Sequence, residues 1–125
     1  MVRVRVRSPS FSRNWQRASS RVIEANKEGM RSAVRFIKPK ILRVTPEDRG
    51  PLRRSFKYRI QNTATGIELK LYFTADYAAF VHEMPPTYNF TTPGTGPKFL
   101  QRPVIENKEQ LFRIVAMSIR RALRG

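Results

Sequence analysis

Phe56-Lys57-Tyr58-Arg59-Ile60, a polar connection over 62–66, and then Ile67-Glu68-Leu69-Lys70-Leu71-Tyr72-Phe73 form the stretch on which the fold turns. Phe56, Tyr58 and Ile60 alternate with Lys57 and Arg59; Ile67, Leu69, Leu71 and Phe73 alternate with Glu68, Lys70 and Tyr72. A period of two sends successive side chains to opposite faces, so each run predicts a strand. The connection contains Gly66 and joins the two runs as a β-hairpin.

On both sides of this hairpin the period changes. Over residues 11–42, Phe11, Trp15, Ala18, Val22, Ala25 and Gly29 recur at spacings of four and three. Met30, Val34, Ile37 and Ile41 continue that stripe one position later, which predicts a long amphipathic helix. A charged line of Arg13, Arg17, Arg21, Glu24, Glu28, Arg31 and Arg35 runs beside it and reads as the solvated face. Pro39 has no N–H to donate and is expected to kink the helix or end it early. A turn-rich segment follows, Thr45-Pro46-Glu47-Asp48-Arg49-Gly50-Pro51.

After the hairpin, Tyr77, Phe80 and Val81 predict a short helix over 76–83. Residues 84–97 hold Pro85, Pro86, Pro93, Gly94, Gly96 and Pro97, which excludes a regular element. Met84, Tyr88 and Phe90 make this loop apolar, and Tyr88 and Phe90 are expected to contact a second subunit. The helical period returns over 100–123 through Val104, Leu111, Val115, Ser118 and Ala122. Glu106 and Glu109 near its start and Arg120, Arg121 and Arg124 near its end complement the helix dipole.

The N-terminus carries its own pattern. Val2, Val4 and Val6 alternate with Arg3, Arg5 and Arg7, as in a half-exposed strand, before Ser8-Pro9-Ser10 breaks the run. A lone strand cannot hold itself folded, so this arm is expected to add to a neighbouring subunit. The predicted fold class is α+β: the N-terminal and C-terminal helices pack on a small, mainly antiparallel sheet. The expected organisation is an arm over 1–9 and a single domain over 10–125.

Composition narrows the function. The chain has 125 residues, enough for one domain with a real core, and 40% of them are hydrophobic. Lys plus Arg number 25 against 9 Asp plus Glu, a net charge of +16 that points to a polyanion or to acidic protein neighbours. With no cysteine, disulfides, thiol catalysis and Cys-bearing zinc sites are excluded. One histidine, His82, cannot build a two-His metal site within a subunit. No apolar run approaches the ~20 residues of a membrane span, and the basic N-terminus has no signal-like apolar core. A cytoplasmic setting is the expectation.

Little catalytic chemistry is in sight. His82-Glu83 resembles acid–base machinery, but sequence neighbours on a helix point about 100° apart and bring no pocket with them. Gly94-Thr95-Gly96-Pro97-Lys98 lacks phosphate-loop spacing and a preceding strand. The expectation is no enzyme, no cofactor and no metal. Arg3, Arg5, Arg7, Arg53, Arg54, Lys57 and Arg59 could meet phosphates, without a helix-turn-helix, zinc-finger or aromatic RNA-binding signature.

Three motifs in order carry a resemblance. They are Pro46-Glu47-Asp48-Arg49-Gly50-Pro51-Leu52-Arg53-Arg54-Ser55, then Tyr77-Ala78-Ala79-Phe80-Val81-His82-Glu83-Met84-Pro85, then Gly96-Pro97-Lys98-Phe99-Leu100-Gln101-Arg102-Pro103. In this order the chain resembles the neck and tail-completion (head–tail joining, minor capsid) proteins of tailed bacteriophages. Arg49, Pro51 and the Val-Arg arm depart from that pattern.

The resemblance implies a structural virion protein, assembled in the host cytoplasm. Its copies would form a ring joining the head connector to the tail. Partners would be further copies, head-completion or connector proteins, and tail-terminator or tail-tube proteins, with DNA passing through the lumen. Val2, Arg3, Val4, Arg5, Val6, His82, Glu83, Tyr88 and Phe90 are then expected at subunit or neighbour contacts. Arg53, Arg54, Lys57 and Arg59 are expected to line the lumen or meet an acidic partner. Tyr77, Phe80 and Phe99 are expected to pack sheet against helices. The alternative is a small basic nucleic-acid-binding protein.

Overall fold

A computed structural model describes residues 2–7, 20–46, 51–63, 66–83 and 98–124. Expectations for the start of the first helix, for Tyr88 and Phe90, and for the Phe80 side chain lie outside the described residues. The elements are β1 (Val2–Arg7), α1 (Ser20–Val44), α2 (Pro51–Arg54), β2 (Phe56–Thr63), β3 (Gly66–Phe73), α3 (Ala78–His82), α4 (Gln101–Glu106) and α5 (Lys108–Arg124).

The hairpin forms as its alternation predicts. β2 and β3 pair antiparallel from Phe56 opposite Phe73 to Thr63 opposite Gly66. The sheet has three strands in the order β1-β3-β2, and β1 also runs antiparallel to β3, from Val2 opposite Phe73 to Arg7 opposite Glu68. This corrects two expectations. The Val-Arg segment does form a strand, but its partner is β3 of the same chain, not a neighbouring subunit. Residues 2–7 therefore belong to the domain and are not an arm outside it. The reason is that the hairpin leaves one long edge of β3 open beside an apolar face, and the three valines cover it.

That inner face builds the core. Ile67, Leu69, Leu71 and Phe73 of β3 are buried, with Val2 and Phe56 flanking them and Val4, Val6 and Ile60 partly buried against them. α1 and α4 lie over the sheet, and α5 packs along α1. The fold class is α+β. Gly29, Met30, Ala33, Val34, Ile37 and Ile41 form the buried face of α1, while Arg21, Glu24, Glu28, Arg31 and Arg35 are exposed. The two faces are those the heptad-like spacing marks out.

α1 does not break at Pro39; it continues to Val44. Pro39 sits on the exposed face, where water can serve the carbonyl that its missing N–H leaves open. Ile37 and Ile41, both fully buried, anchor the helix on either side of it. The helix ends at Thr45, whose hydroxyl donates to the Ile41 carbonyl at 2.7 Å.

The C-terminal helical stretch is likewise not one helix. It divides at Asn107, whose backbone (φ −110°, ψ 19°) leaves the helical region. The Asn107 side-chain amide and N–H both donate to the Pro103 carbonyl, at 2.8 and 3.1 Å, and close α4 as α5 begins.

α1 and α5 are antiparallel, since Ser118 reaches Ala25 and Val115 meets Gly29. The Ser118 hydroxyl donates to the Ala25 carbonyl at 2.8 Å. A Cβ built on Gly29 would lie 2.9 Å from the Val115 Cα, closer than atoms in contact allow. That neighbour is backbone and cannot swing aside. Gly29→Ala gains helix propensity of ~1 kcal/mol at most, whereas overpacking costs about 1–3 kcal/mol. We expect the variant to be less stable in urea by about 1 kcal/mol, and by no more than ~2; a raised midpoint would show that the two helices can separate freely.

Candidate functional site

The three segments of the sequence motifs converge at one end of the sheet. Leu52 of α2 is buried, and Ser55, the next residue beyond α2, accepts a hydrogen bond from the Thr74 N–H at 3.0 Å. Phe56, Phe73 and Phe99 stack edge to face, with centroids 5.5 and 5.0 Å apart. His82 continues the row against Phe99 at 5.1 Å. One aromatic row thus joins the start of β2, the end of β3, the end of α3 and the approach to α4.

Beside the same row, Lys98 is tied back to the end of α3. The Lys98 N–H donates to the His82 carbonyl at 2.8 Å, and the Lys98 ammonium pairs with the Glu83 carboxylate. Lys98 holds φ at 56°, the left-handed region that a lysine rarely adopts. The backbone bond and the ion pair fix this turn and hold Lys98 against the end of α3.

His82, expected at a subunit or neighbour contact, is buried within the chain. Its Nδ1 is 3.1 Å from Glu83 Oε1, and the Gln101 N–H approaches Nε2 at 3.4 Å. A neutral ring that donates from Nδ1 to the carboxylate and accepts at Nε2 satisfies both contacts. Its role is to tie α3 to the start of α4. Glu83 is exposed. Tyr77, expected in the core, is 45% exposed, whereas Phe99 is fully buried. The short α3 presents Ala78 inward and leaves the tyrosine before it outside.

Burial holds the His82 pKa below its ordinary value, against the opposing pull of Glu83. Lys98 first, and His82 second, hold the Glu83 carboxyl below its own ordinary value. The unfolded chain takes up a proton near pH 6.5, the folded chain only at lower pH. Stability from His82 is therefore complete above about pH 6.5 and is lost as the pH falls towards the folded pKa. Glu83 adds a separate loss below about pH 4.5. Thermal melts of His82→Gln should lack the first decline and keep the second; a first decline of unchanged size would assign it elsewhere.

The other concentration of functional groups is the outer face of the sheet. The register aligns Arg3, Tyr72 and Lys57 in one row, Arg5, Lys70 and Arg59 in the next, and Arg7, Glu68 and Gln61 in the third. Glu68 is 3.7 Å from the Arg5 guanidinium, 3.6 Å from that of Arg7, and accepts from Gln61 at 3.2 Å. The Lys70 ammonium lies 5.0 Å from the centre of the Tyr72 ring.

The chain matches no family model, no curated protein and no solved structure.

The structure divides the basic residues named from the sequence. Lys57 and Arg59 lie on the outer sheet face together with Arg3 and Arg5. Arg53 and Arg54 lie on α2, and the Arg53 Nε donates to the Thr45 carbonyl at 3.0 Å, which ties α2 to the end of α1. Val2, Val4 and Val6 face the core. Sequence reasoning named Arg7 with the other basic residues but missed Lys70 and Tyr72 as members of the basic face, and Lys98 as the partner of Glu83. The alternation of β3 already placed Lys70 and Tyr72 opposite the apolar positions, but only the register shows which cations they meet.

Among the described residues no cluster of three or more His, Asp or Glu could hold a metal, and no helix is long and apolar enough to cross a membrane. A groove of about 500 Å³ between β1 and the α4–α5 pair is lined by Val4, Val6, Val104, Ile105, Phe112 and Val115. Ile105 and Phe112 are more than half exposed, unusual for side chains of their size.

Proposed function

We propose that this chain is a structural protein of a tailed-phage virion, one copy of an oligomeric ring in the neck that joins the head connector to the tail. The observation that carries the reading is the convergence of the three motif segments. His82 of the second motif and Phe99 of the third continue a ring row through Phe73 to Phe56, which directly follows the first motif. Glu83 and Lys98, the described residues on either side of 84–97, are paired there, and Tyr88 and Phe90 between them in sequence are proposed to make contacts between subunits. The exposed Ile105 and Phe112 supply apolar surface for a second copy to cover, as a heterologous ring contact requires.

No catalytic step enters this account. His82, the one group with acid–base range, is buried and engaged by Glu83 and Gln101. The residues proposed for the work are contact residues: Glu83, with Tyr88 and Phe90 beyond it, and the exposed apolar strip. Native mass spectrometry of the purified chain tests the oligomeric half of the reading. A closed homo-oligomer of one stoichiometry is expected, and a monomer at every concentration would contradict it.

A further inference from the structure

We infer that the outer face of the sheet docks the phosphodiester backbone of double-stranded DNA, without regard to base sequence. The inference rests on the sheet alone and goes beyond the assignment to a neck.

Arg3, Arg5, Arg7, Lys57, Arg59 and Lys70 share this face with a single carboxylate, Glu68. Glu68 lies between Arg5 and Arg7. Among the described residues no carboxylate lies within ion-pairing distance of Arg3, Lys57, Arg59 or Lys70. On the helices some cations are compensated: on α1, Glu28 pairs with Arg31 and Arg35, and Glu24 with Lys27; on α5, Glu109 pairs with Arg113. Among the described residues the sheet face has Glu68 alone to offset its six cations.

That arrangement works against folding. Arg5, Lys70 and Arg59 are direct cross-strand neighbours in the middle row. Like charges directly opposite one another, with Cβ atoms ~4.5–5.5 Å apart, destabilise a sheet. A local conflict of this kind points to a ligand that relieves it.

The ligand's chemistry follows from the shape and lining of the face. Three strands about 4.8 Å apart, with outward residues repeating every ~6.7 Å, make a small, shallow cationic lattice. A protein partner needs roughly 800 Å² per side and an apolar centre depleted of charge. The face has six cations and one aromatic residue, Tyr72, half-covered by Lys70. A phosphate backbone needs only the cations.

Fluorescence anisotropy with a labelled duplex of about 20 base pairs, titrated from ~50 to ~300 mM salt, tests this. The sheet variant is Arg59→Gln with Lys70→Gln. The control is Arg120→Gln with Arg121→Gln, which removes the same charge from the exposed end of α5. At ~100 mM salt the sheet variant should bind about tenfold more weakly, with the log K against log salt slope smaller by about 2. The control should lose less than about threefold. Relief of the charged row should leave the melting temperature of the sheet variant equal or higher. Arg3→Gln with Lys57→Gln, from another row, should repeat the loss of binding. Equal losses in sheet and control variants would reduce the effect to net charge and overturn the proposal. So would competition by polyglutamate as effective as that by unlabelled duplex, which would assign the face to an acidic protein.

Discussion

Deleting residues 1–7 abolishes cooperative folding of the isolated chain. β1 pairs with β3 along all six of its residues, with Val2 buried and Val4 and Val6 packed against the core. Burial of Val2 contributes on the order of 1.5 kcal/mol or more, the partly buried Val4 and Val6 less each, and the uncovered flank of β3 loses shielding from water as well. The combined loss, on the order of 3–5 kcal/mol, approaches the whole stability of a domain at the low end of ~5–15 kcal/mol. What remains is a two-stranded hairpin with one flank of its central strand uncovered. Circular dichroism of the truncated chain should show no sharp thermal transition. A transition as sharp and as high as that of the full chain would mean that β1 is dispensable to the fold and free to act elsewhere.

Phe73→Ala should have the next largest effect. Phe73 is fully buried, stands opposite both Val2 and Phe56, and touches the Phe56 and Phe99 rings edge to face. Truncating a buried phenylalanine costs about 3–5 kcal/mol, because the cavity forfeits contacts on every side. Here the loss also frees Phe99 and, through it, His82 and the clamp at Lys98. Urea unfolding should show a fall of ~3 kcal/mol or more, and protease sensitivity should rise first near residue 98. A loss below ~1 kcal/mol would show that the aromatic row is not the joint described above.

Much of the fold was legible in residue periodicity, because periodicity reports directly which side chains face the core. The alternation over 56–73 marked both hairpin strands, and the spacing of Met30, Val34, Ile37 and Ile41 marked the buried stripe of α1. The misreadings of β1 and Pro39 depend on distant partners, and that of the C-terminal stretch on a local bond that periodicity does not report. The valines of β1 announce a strand without naming its neighbour, and β3 of the same chain supplies it. Pro39 opposes a helix locally, but Ile37 and Ile41 are held by the core on both sides. The break at Asn107 falls inside an unbroken apolar period and is set by bonds to Pro103.

The site was legible to a similar depth. Arg3, Arg5, Lys57 and Arg59 stood out as exposed cations on strands, and they do share one face. That Lys70 completes their middle row follows only from the register. Arg53 has the same sequence character as Arg54, yet a tertiary bond to Thr45 gives it a structural task. His82 could not be distinguished from a surface histidine until Phe99, separated from it by the 84–97 segment, was seen to cover it.

Electron microscopy of particles made without this chain tests the central proposal most directly. If the chain joins head to tail, a phage lacking its gene should produce DNA-filled heads and complete tails that remain separate. Supplying the protein from a plasmid should restore joined, infectious virions. Joined, infectious particles assembled in its absence would contradict the proposal.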